Sequence, residues 1–279
     1  MKDIIIKAED LYFSYDDAKS HSLCGLSLEI ERGKKVAFMG ANGAGKSTFF
    51  LCLNGIHRPA SGRLYIDGKP VEYSKKGLLD LRSKVGIVFQ DPDNQLFSAS
   101  VFQEISFGAL NMGMAKEEAE RAVMEVIKTL EIEPFMEKPT HSLSGGQKKQ
   151  VSIADVLVMA PEVIILDEPA SSLDPKHTII VNGIVDLMVE RGITVLMSTH
   201  DVDYAMQWAD EVVLIADGKT LAHGSPREVF SDDNLLAKTN LKKPAAMELF
   251  ESLVSKGVLS AELPVPKSLG ELETYISRL

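Results

Sequence analysis

The sequence predicts an α/β fold with a parallel β-sheet at its centre, and three observations support this class. A short apolar strand at 35–39 leads into a glycine-rich loop and then into a helix at 47–53. Two apolar segments, at 163–166 and 194–197, flank a helical pattern at 176–190, which makes a strand–helix–strand unit. Finally, the first thirty-odd residues alternate apolar and polar side chains, which is the period of a half-exposed antiparallel sheet.

Weaker patterns predict the remaining elements and the domain organisation. Apolar residues recur at helical spacing among Lys and Glu in the region 102–130. Turn and proline signals delimit strands at 63–66, 84–89, 211–215 and 219–222 and helices at 245–255 and 269–278. We therefore expect one main domain at 1–227, with an antiparallel β subdomain at its start and a helical subdomain at about 91–160. A small helical appendage is expected at 228–279.

Composition excludes several classes of protein. The 279 residues carry a net charge of −10, which argues against a broad nucleic-acid-binding face and predicts no nucleic-acid partner. No run approaches the roughly 20 apolar residues of a membrane span, and the acidic first ten residues do not resemble a signal peptide. We expect a soluble protein that reaches a membrane only through a partner.

Residues 40–47 read G-A-N-G-A-G-K-S and have the glycine spacing of a phosphate-binding loop. Gly40 and Gly45 allow the backbone N–H groups to point inward at phosphate oxygens. Lys46 would add a positive charge, and the Ser47 hydroxyl would ligate Mg²⁺. A glycine-rich turn without a ligand is the alternative, but the strand before this loop and the helix after it favour phosphate binding.

Two acidic residues end a buried strand in V-I-I-L-D-E-P at 163–169. In an enzyme with a phosphate-binding loop, Asp167 belongs near Mg²⁺ and Glu168 is placed to activate the attacking water. The alternative is a strand that ends in a solvated acidic turn.

The segment L-S-G-G-Q at 143–147 predicts the start of another helix, with Ser144 as its N-cap. Gly145 and Gly146 each cost a helix about 1 kcal/mol, so a compensating role is expected. Close approach of the backbone to an anion would provide that role. The alternative is a capped helix with no further function.

Together these motifs resemble the nucleotide-binding subunit of an ATP-binding cassette (ABC) transporter over about residues 3–227. The resemblance implies an ATPase that binds ATP and Mg²⁺ and works as a head-to-tail dimer, with each ATP between one subunit's phosphate-binding loop and the other's L-S-G-G-Q. It implies that Lys46, Gln90, Glu168 and His200 are catalytic, and that Ser47, Gln90 and Asp167 hold Mg²⁺. The nucleotide-binding residues that it implies are Tyr15, Gly40, Asn42, Gly43, Ala44, Gly45, Lys46, Ser47, Thr48, Ser144, Gly145, Gly146, Gln147 and Asp174.

Four of these residues rest mainly on the resemblance. Tyr15 in F-S-Y-D matches the aromatic that stacks on adenine, but it could equally be a strand aromatic. Gln90 and Asp174, the latter in S-S-L-D-P, could be ordinary loop residues. His200 matches the residue that senses the γ-phosphate, whereas a lone histidine at a strand end is more often structural.

Residues 89–114, which include D-P-D-N-Q-L-F, resemble the ATPases of cobalt and nickel importers and of energy-coupling-factor vitamin importers. This resemblance implies integral membrane transport subunits as partners and a peripheral place on the cytoplasmic face of the cell membrane. We expect residues 95–97 to face outward there, with Leu96 and Phe97 as apolar anchors. Alternatively, the segment merely caps the helical subdomain. The second ATPase could be an identical copy or a sister protein.

The sequence departs from the family at Gln150, where Arg is frequent, at Asp155, where a small residue or Arg is usual, and at Ala170, where Thr is common. None of these is an expected catalytic position. The competing function is a soluble ABC-family ATPase that acts on nucleic acid, ribosomes or a regulatory partner. Such proteins usually have two cassettes or a long basic or coiled-coil insertion, which this chain lacks. A scaffold that binds nucleotide without hydrolysis conflicts with Glu168 and His200.

Overall fold

The computed structural model describes residues 2–15, 21–170 and 173–278. The strands are β1 (Ile4–Phe13), β2 (Leu23–Glu31), β3 (Lys35–Met39), β4 (Ser61–Ile66), β5 (Lys69–Pro70), β6 (Val85–Val88), β7 (Val163–Asp167), β8 (Thr194–Ser198), β9 (Glu211–Ala216) and β10 (Lys219–Gly224). The helices are α1 (Lys46–Leu53), α2 (Lys75–Lys84), α3 (Val101–Asn111), α4 (Lys116–Thr129), α5 (Gly145–Leu157), α6 (Pro175–Glu190), α7 (Val202–Trp208), α8 (Pro226–Phe230), α9 (Asp233–Thr239), α10 (Ala245–Ser255) and α11 (Leu269–Ile276). Among the described residues, no helix has the length and apolar character needed to cross a membrane.

Two sheets form the body of the domain. The first has the antiparallel order β2-β1-β4-β5, as the alternating pattern near the N-terminus predicts. The second has the order β10-β9-β3-β8-β7-β6, with parallel pairing from β9 to β6 and the predicted β9–β10 hairpin at one edge. The α/β class predicted from the sequence is therefore confirmed. The side chains of β3, β7 and β8 are almost all buried because helices or the first sheet cover both faces.

The region between β6 and β7 is helical, as the spacing of its apolar residues predicts. The segment 102–130 forms two helices, α3 and α4. The break lies at Gly113, which has a φ of 86° and so takes a left-handed conformation that ends α3. Helices α3, α4 and α5 pack on one another through Ile105, Val123 and Val151, which are fully buried.

The last fifty residues are divided between two hydrophobic clusters. Phe230 and Leu236, in α8 and α9, belong to the main core of the domain. Phe250, Leu259 and Leu272 form a separate small cluster that joins α10 to α11. The predicted helices at 245–255 and 269–278 correspond to α10 and α11. The division of the chain at residue 227 stays a prediction.

Candidate nucleotide-binding site

The order of strands in the central sheet brings four separate loops to one edge. β3, β8, β7 and β6 are neighbours and run parallel, so their carboxyl ends lie side by side. The glycine-rich loop follows β3, His200 follows β8, Glu168 follows β7 and Gln90 follows β6. Ligands of open parallel sheets bind outside the carboxyl ends of the strands.

These loops enclose a cleft of about 500 Å³. It contains the central part of the predicted phosphate-binding loop, both acidic residues after β7, Gln90, His200 and Tyr15. The structure therefore brings together most of the residues expected to bind nucleotide or catalyse its hydrolysis. The described residues that line it are Tyr15, Ser22, Asn42, Gly43, Ala44, Gly45, Lys46, Ser47, Thr48, Gln90, Asp167, Glu168 and His200.

The glycine-rich loop requires its glycines at two positions. Gly40 has a φ of 142°, and a Cβ there would collide with the Ile215 carbonyl oxygen. Gly45 has a φ of 109° and lies against the Ser22 carbonyl oxygen. α1 begins directly after Gly45, so the free N–H groups and the positive end of the helix dipole face the cleft. The loop is built to bind an anion.

Lys46 lies in the concavity of this loop with its side chain almost fully buried. Its Nζ donates to the carbonyl oxygens of Gly40 at 2.7 Å and Ala41 at 3.1 Å. Burial lowers the pKa of this ammonium, while the negative charges of Glu168 and Asp167 oppose that shift. A phosphate in the loop would bring further negative charge to the ammonium and favour its charged form.

The carboxylate of Glu168 is held between two other predicted catalytic residues. Its Oε1 lies 2.7 Å from His200 Nε2, and its Oε2 accepts a hydrogen bond from Gln90 Nε2 at 3.0 Å. Glu168 has a φ of 45°, an uncommon left-handed conformation for a non-glycine residue. Such strain is maintained only where surrounding contacts fix the residue, and it concentrates at functional sites.

Ser198, the last residue of β8, holds the Asp167 carboxylate and the Glu168 backbone. Its hydroxyl donates to Asp167 Oδ1 at 2.5 Å and accepts from the Glu168 backbone N–H at 2.8 Å. Sequence reasoning missed Ser198, because its role depends on the pairing of β7 with β8. One sequence feature could have indicated this role: a hydroxyl residue ends the apolar strand that pairs with the strand ending in Asp167.

Tyr15, just beyond β1, lines the same cleft. Its hydroxyl is 3.2 Å from Thr48 Oγ1, and its ring is nearly perpendicular to those of Phe13 and His57, which stack on each other at 4.6 Å. The side chain is 45% exposed. The ring is thus oriented by three contacts while part of it faces solvent, as a platform for a flat aromatic ligand requires. Sequence reasoning did not single out His57.

The L-S-G-G-Q segment does not line this cleft. Ser144 caps α5 as predicted, and it forms a capping box in which Ser144 Oγ accepts from Gln147 N and Gln147 Oε1 accepts from Ser144 N. Gly145 is exposed, whereas Gly146 packs so closely on the His177 imidazole that a Cβ would collide with it. One glycine is therefore explained by packing within the chain.

Asp174 also lies apart from the cleft. It caps α6 by accepting from the His177 backbone N–H at 2.9 Å, and its other oxygen contacts His177 Nδ1. The pKa of Asp174 lies below its usual value, chiefly because of the hydrogen bond from the His177 backbone. Within one chain Asp174 and Ser144 act as helix caps. Residues 171 and 172, the first two of S-S-L-D-P, lie outside the described residues.

Two polar side chains, Lys149 and Gln95, make hydrogen bonds within the domain that the sequence did not predict. Lys149 in α5 reaches the carbonyl oxygens of Phe89 and Gln90. Gln95, which was expected to face outward, points inward instead, and its amide donates to Ser152 O at 2.9 Å and to Asp155 Oδ2 at 3.1 Å. That expectation was wrong because a polar loop residue can satisfy its amide inside the domain as well as in water.

A phosphate-binding loop opposite an acidic pair defines the class of protein as a P-loop nucleotide hydrolase. Comparison with known proteins identifies the family within this class. The sequence pattern of the ABC transporter family matches residues 23–171. An energy-coupling factor transporter ATP-binding protein from Clostridium perfringens is 47% identical over 257 residues, covering 92% of this chain and 90% of that protein. A protein of the same description from Methanocaldococcus jannaschii is 45% identical and covers 92% of each chain.

Solved structures agree with this relationship. The structure of cbiO1 from Clostridium perfringens, described as part of the ABC transporter complex cbiONQ, has a TM-score of 0.75 at 47% identity and covers 90% of this chain and all of that one. A dimeric ATP-binding cassette bound to ADP and Pi has a TM-score of 0.72 at 27% identity and covers 80% of this chain and 99% of that one. This chain belongs to the ABC transporter ATP-binding family, and it is an ATPase.

Proposed function

We propose that this chain is the energy-coupling ATPase subunit of an importer of the energy-coupling-factor type. The relatives in Clostridium perfringens and Methanocaldococcus jannaschii are both named energy-coupling factor transporter ATP-binding proteins, which supports the proposal. The D-P-D-N-Q-L-F segment supports it as well. The proposed solute is a cobalt or nickel ion or a vitamin, which is what the sequence resemblance implies.

The observation that carries the catalytic assignment is the carboxylate of Glu168 between His200 and Gln90. In our proposal this carboxylate accepts a proton from the attacking water and orients it in line with the terminal phosphate. His200 contacts the γ-phosphate, and Lys46 neutralises charge on the β and γ phosphates. Both residues already point into the same cleft as the glycine-rich loop, so binding of the triphosphate would complete the arrangement. Tyr15 would stack on the adenine.

The residues proposed to hold Mg²⁺ fit that ion. Ser47, Gln90 and Asp167 line one cleft and offer a hydroxyl, an amide oxygen and a carboxylate, which are the oxygen ligands that Mg²⁺ takes together with substrate phosphates. Gln90 uses its amide nitrogen toward Glu168, which leaves its oxygen for the ion. When bound, Mg²⁺ would neutralise charge on the phosphates and fix their position.

We propose that two ATPase subunits share each nucleotide. The start of α5 is exposed at Ser144 and Gly145 and lies outside the cleft of its own chain, although L-S-G-G-Q is expected to contact nucleotide. A second subunit, either an identical copy or a sister ATPase, would place its own α5 against the phosphates. The relative solved with ADP and Pi is dimeric, which supports this arrangement. Asp174 would then lie in the interface.

An integral membrane subunit is the second proposed partner, and a small apolar patch supports this. Phe97 is 67% exposed and Phe107 is 47% exposed, and their rings meet edge-to-face at 4.9 Å. Leu96, the other expected anchor, is partly buried against the main core. Paired exposed aromatics are typical anchors for a partner helix. The protein would thus sit peripherally on the cytoplasmic face of the membrane, with residues 91–160 as the docking subdomain.

The test of the catalytic proposal is Glu168→Gln, which preserves shape but removes the base. We expect near-normal ATP binding and a turnover loss of roughly 10²–10⁴-fold. Steady-state phosphate release and equilibrium binding of a labelled ATP analogue measure the two quantities separately. Glu125→Gln, an exposed carboxylate on α4, is the matched control and should leave both unchanged. Near-normal hydrolysis by Glu168→Gln would contradict the assignment.

A further inference from the structure

Lys149 is a buried ammonium in the second turn of α5, and only 1% of the residue is exposed. Its Nζ donates to the carbonyl oxygens of Phe89 at 2.8 Å and Gln90 at 2.7 Å. Burial lowers its pKa to about 8, while the carboxylates of Asp167 and Asp91 oppose that shift.

Burying an ammonium is costly, and an apolar side chain of the same length would avoid the cost. The two carbonyl groups that Lys149 contacts lie at the end of β6, where the chain leaves the sheet. Without Lys149 they would lose their charged donor. The buried charge thus fixes the backbone of Gln90 at one point in space.

The side chain of Gln90 is held in place as well as its backbone. Its side-chain Nε2 donates to Glu168 Oε2 at 3.0 Å. A continuous series of polar contacts therefore runs from α5 through Lys149 and the Gln90 backbone to the Glu168 carboxylate. Because α5 begins at the L-S-G-G-Q segment, a displacement of this helix would move the Gln90 carbonyl directly.

We propose that Lys149 is a positioning residue for ATP hydrolysis, which acts by holding Gln90 against Glu168 and so links the position of α5 to the catalytic carboxylate. This inference rests on the roles proposed above for Gln90 and Glu168. Lys149 does not touch the nucleotide. Its effect passes through Gln90, so it has no effect of its own once the Gln90 side chain is gone.

A double-mutant cycle on the full chain tests this dependence. Lys149→Met should lower turnover about 10-fold, the scale of loss expected when a catalytic group is slightly misplaced. It should also raise the Mg²⁺ concentration needed for half-maximal rate, with the ATP dissociation constant unchanged within about 2-fold, since the phosphate-binding loop is untouched. In a Gln90→Ala background the same substitution should change turnover by less than about 2-fold.

Lys148→Met is the matched control. Lys148 is the neighbouring residue and forms an ion pair with Asp93 at 2.6 Å, but it does not contact the Gln90 carbonyl. Turnover and Mg²⁺ dependence should stay at wild-type values. If Lys149→Met does not fold, Lys149→Gln is neutral and less apolar and serves in the same cycle.

The outcomes separate this inference from the proposed function. Equal losses from Lys149→Met in both backgrounds would mean a structural role and would overturn the inference, while the role of Gln90 stands. Wild-type turnover and Mg²⁺ dependence in Lys149→Met would overturn it equally. Wild-type turnover in Gln90→Ala would instead remove the proposed role of Gln90, and the inference with it.

Discussion

Replacing Asp155 by Asn should make the protein more stable, and increasingly so as the pH rises. Asp155 lies in α5, where burial raises the pKa of its carboxyl group to about 7 from an ordinary value of 3.8. The hydrogen bond from Gln95 opposes the shift and the nearby Glu104 adds to it. Asn has the same shape and can still accept the Gln95 hydrogen bond. The substitution therefore removes the negative charge and changes little else at this position.

The direction of this change in stability with pH follows from proton linkage. Because the pKa is higher in the folded protein, the folded state binds more protons between pH 4 and 7, and stability is lost as the pH rises through that window. The full pKa difference corresponds to roughly 4 kcal/mol. Since the side chain keeps partial contact with water, we expect the advantage of Asp155→Asn to grow by about 1–2 kcal/mol between pH 5 and pH 8.

Thermal unfolding without nucleotide at the two pH values measures this difference. For a chain of this size the Tm advantage of Asp155→Asn should increase by about 2–4 °C from pH 5 to pH 8. Glu125→Gln removes an exposed carboxylate from α4 and should show no such increase. A Tm difference that is the same at both pH values would refute the reasoning, since a pH-independent effect cannot come from ionisation of Asp155.

Three further outcomes are expected. Lys46→Ala should raise the dissociation constant for ATP at least about 10-fold in equilibrium binding, because a charge-assisted contact to phosphate is lost; unchanged affinity would contradict this role. Mixing Lys46→Ala with Ser144→Arg subunits, each inactive alone, should restore hydrolysis if sites form between subunits, whereas an inactive mixture would argue against shared sites. Phe97→Ser combined with Phe107→Ser should abolish co-purification with the membrane subunit but keep basal hydrolysis of the isolated chain. Persistent co-purification would place the docking surface elsewhere.

Local features of the site could be predicted because their signals lie within a few residues of each other. The phosphate-binding loop depends on glycine spacing between a strand and a helix, and Ser144 caps α5 because its hydroxyl reaches an N–H three residues on. The Asp217–Gly218 turn closes the β9–β10 hairpin for the same kind of reason, with both residues in left-handed conformations. In each case the conformational preference of a few neighbouring residues is enough to predict the local structure.

The sequence by itself thus determined the fold class, the phosphate-binding loop and the acidic strand end, because the patterns that predict them lie in short continuous segments. Only the tertiary structure decided which distant groups meet. The sheet order β3-β8-β7-β6 places His200 and Gln90 on either side of Glu168, although Gln90 is 78 positions away in the chain. It also decided that Gln95 and Lys149 face inward. The sequence does not show whether the hydrogen bonds of a polar side chain are made to water or to a buried carbonyl group. Packing alone decides which partner the side chain has.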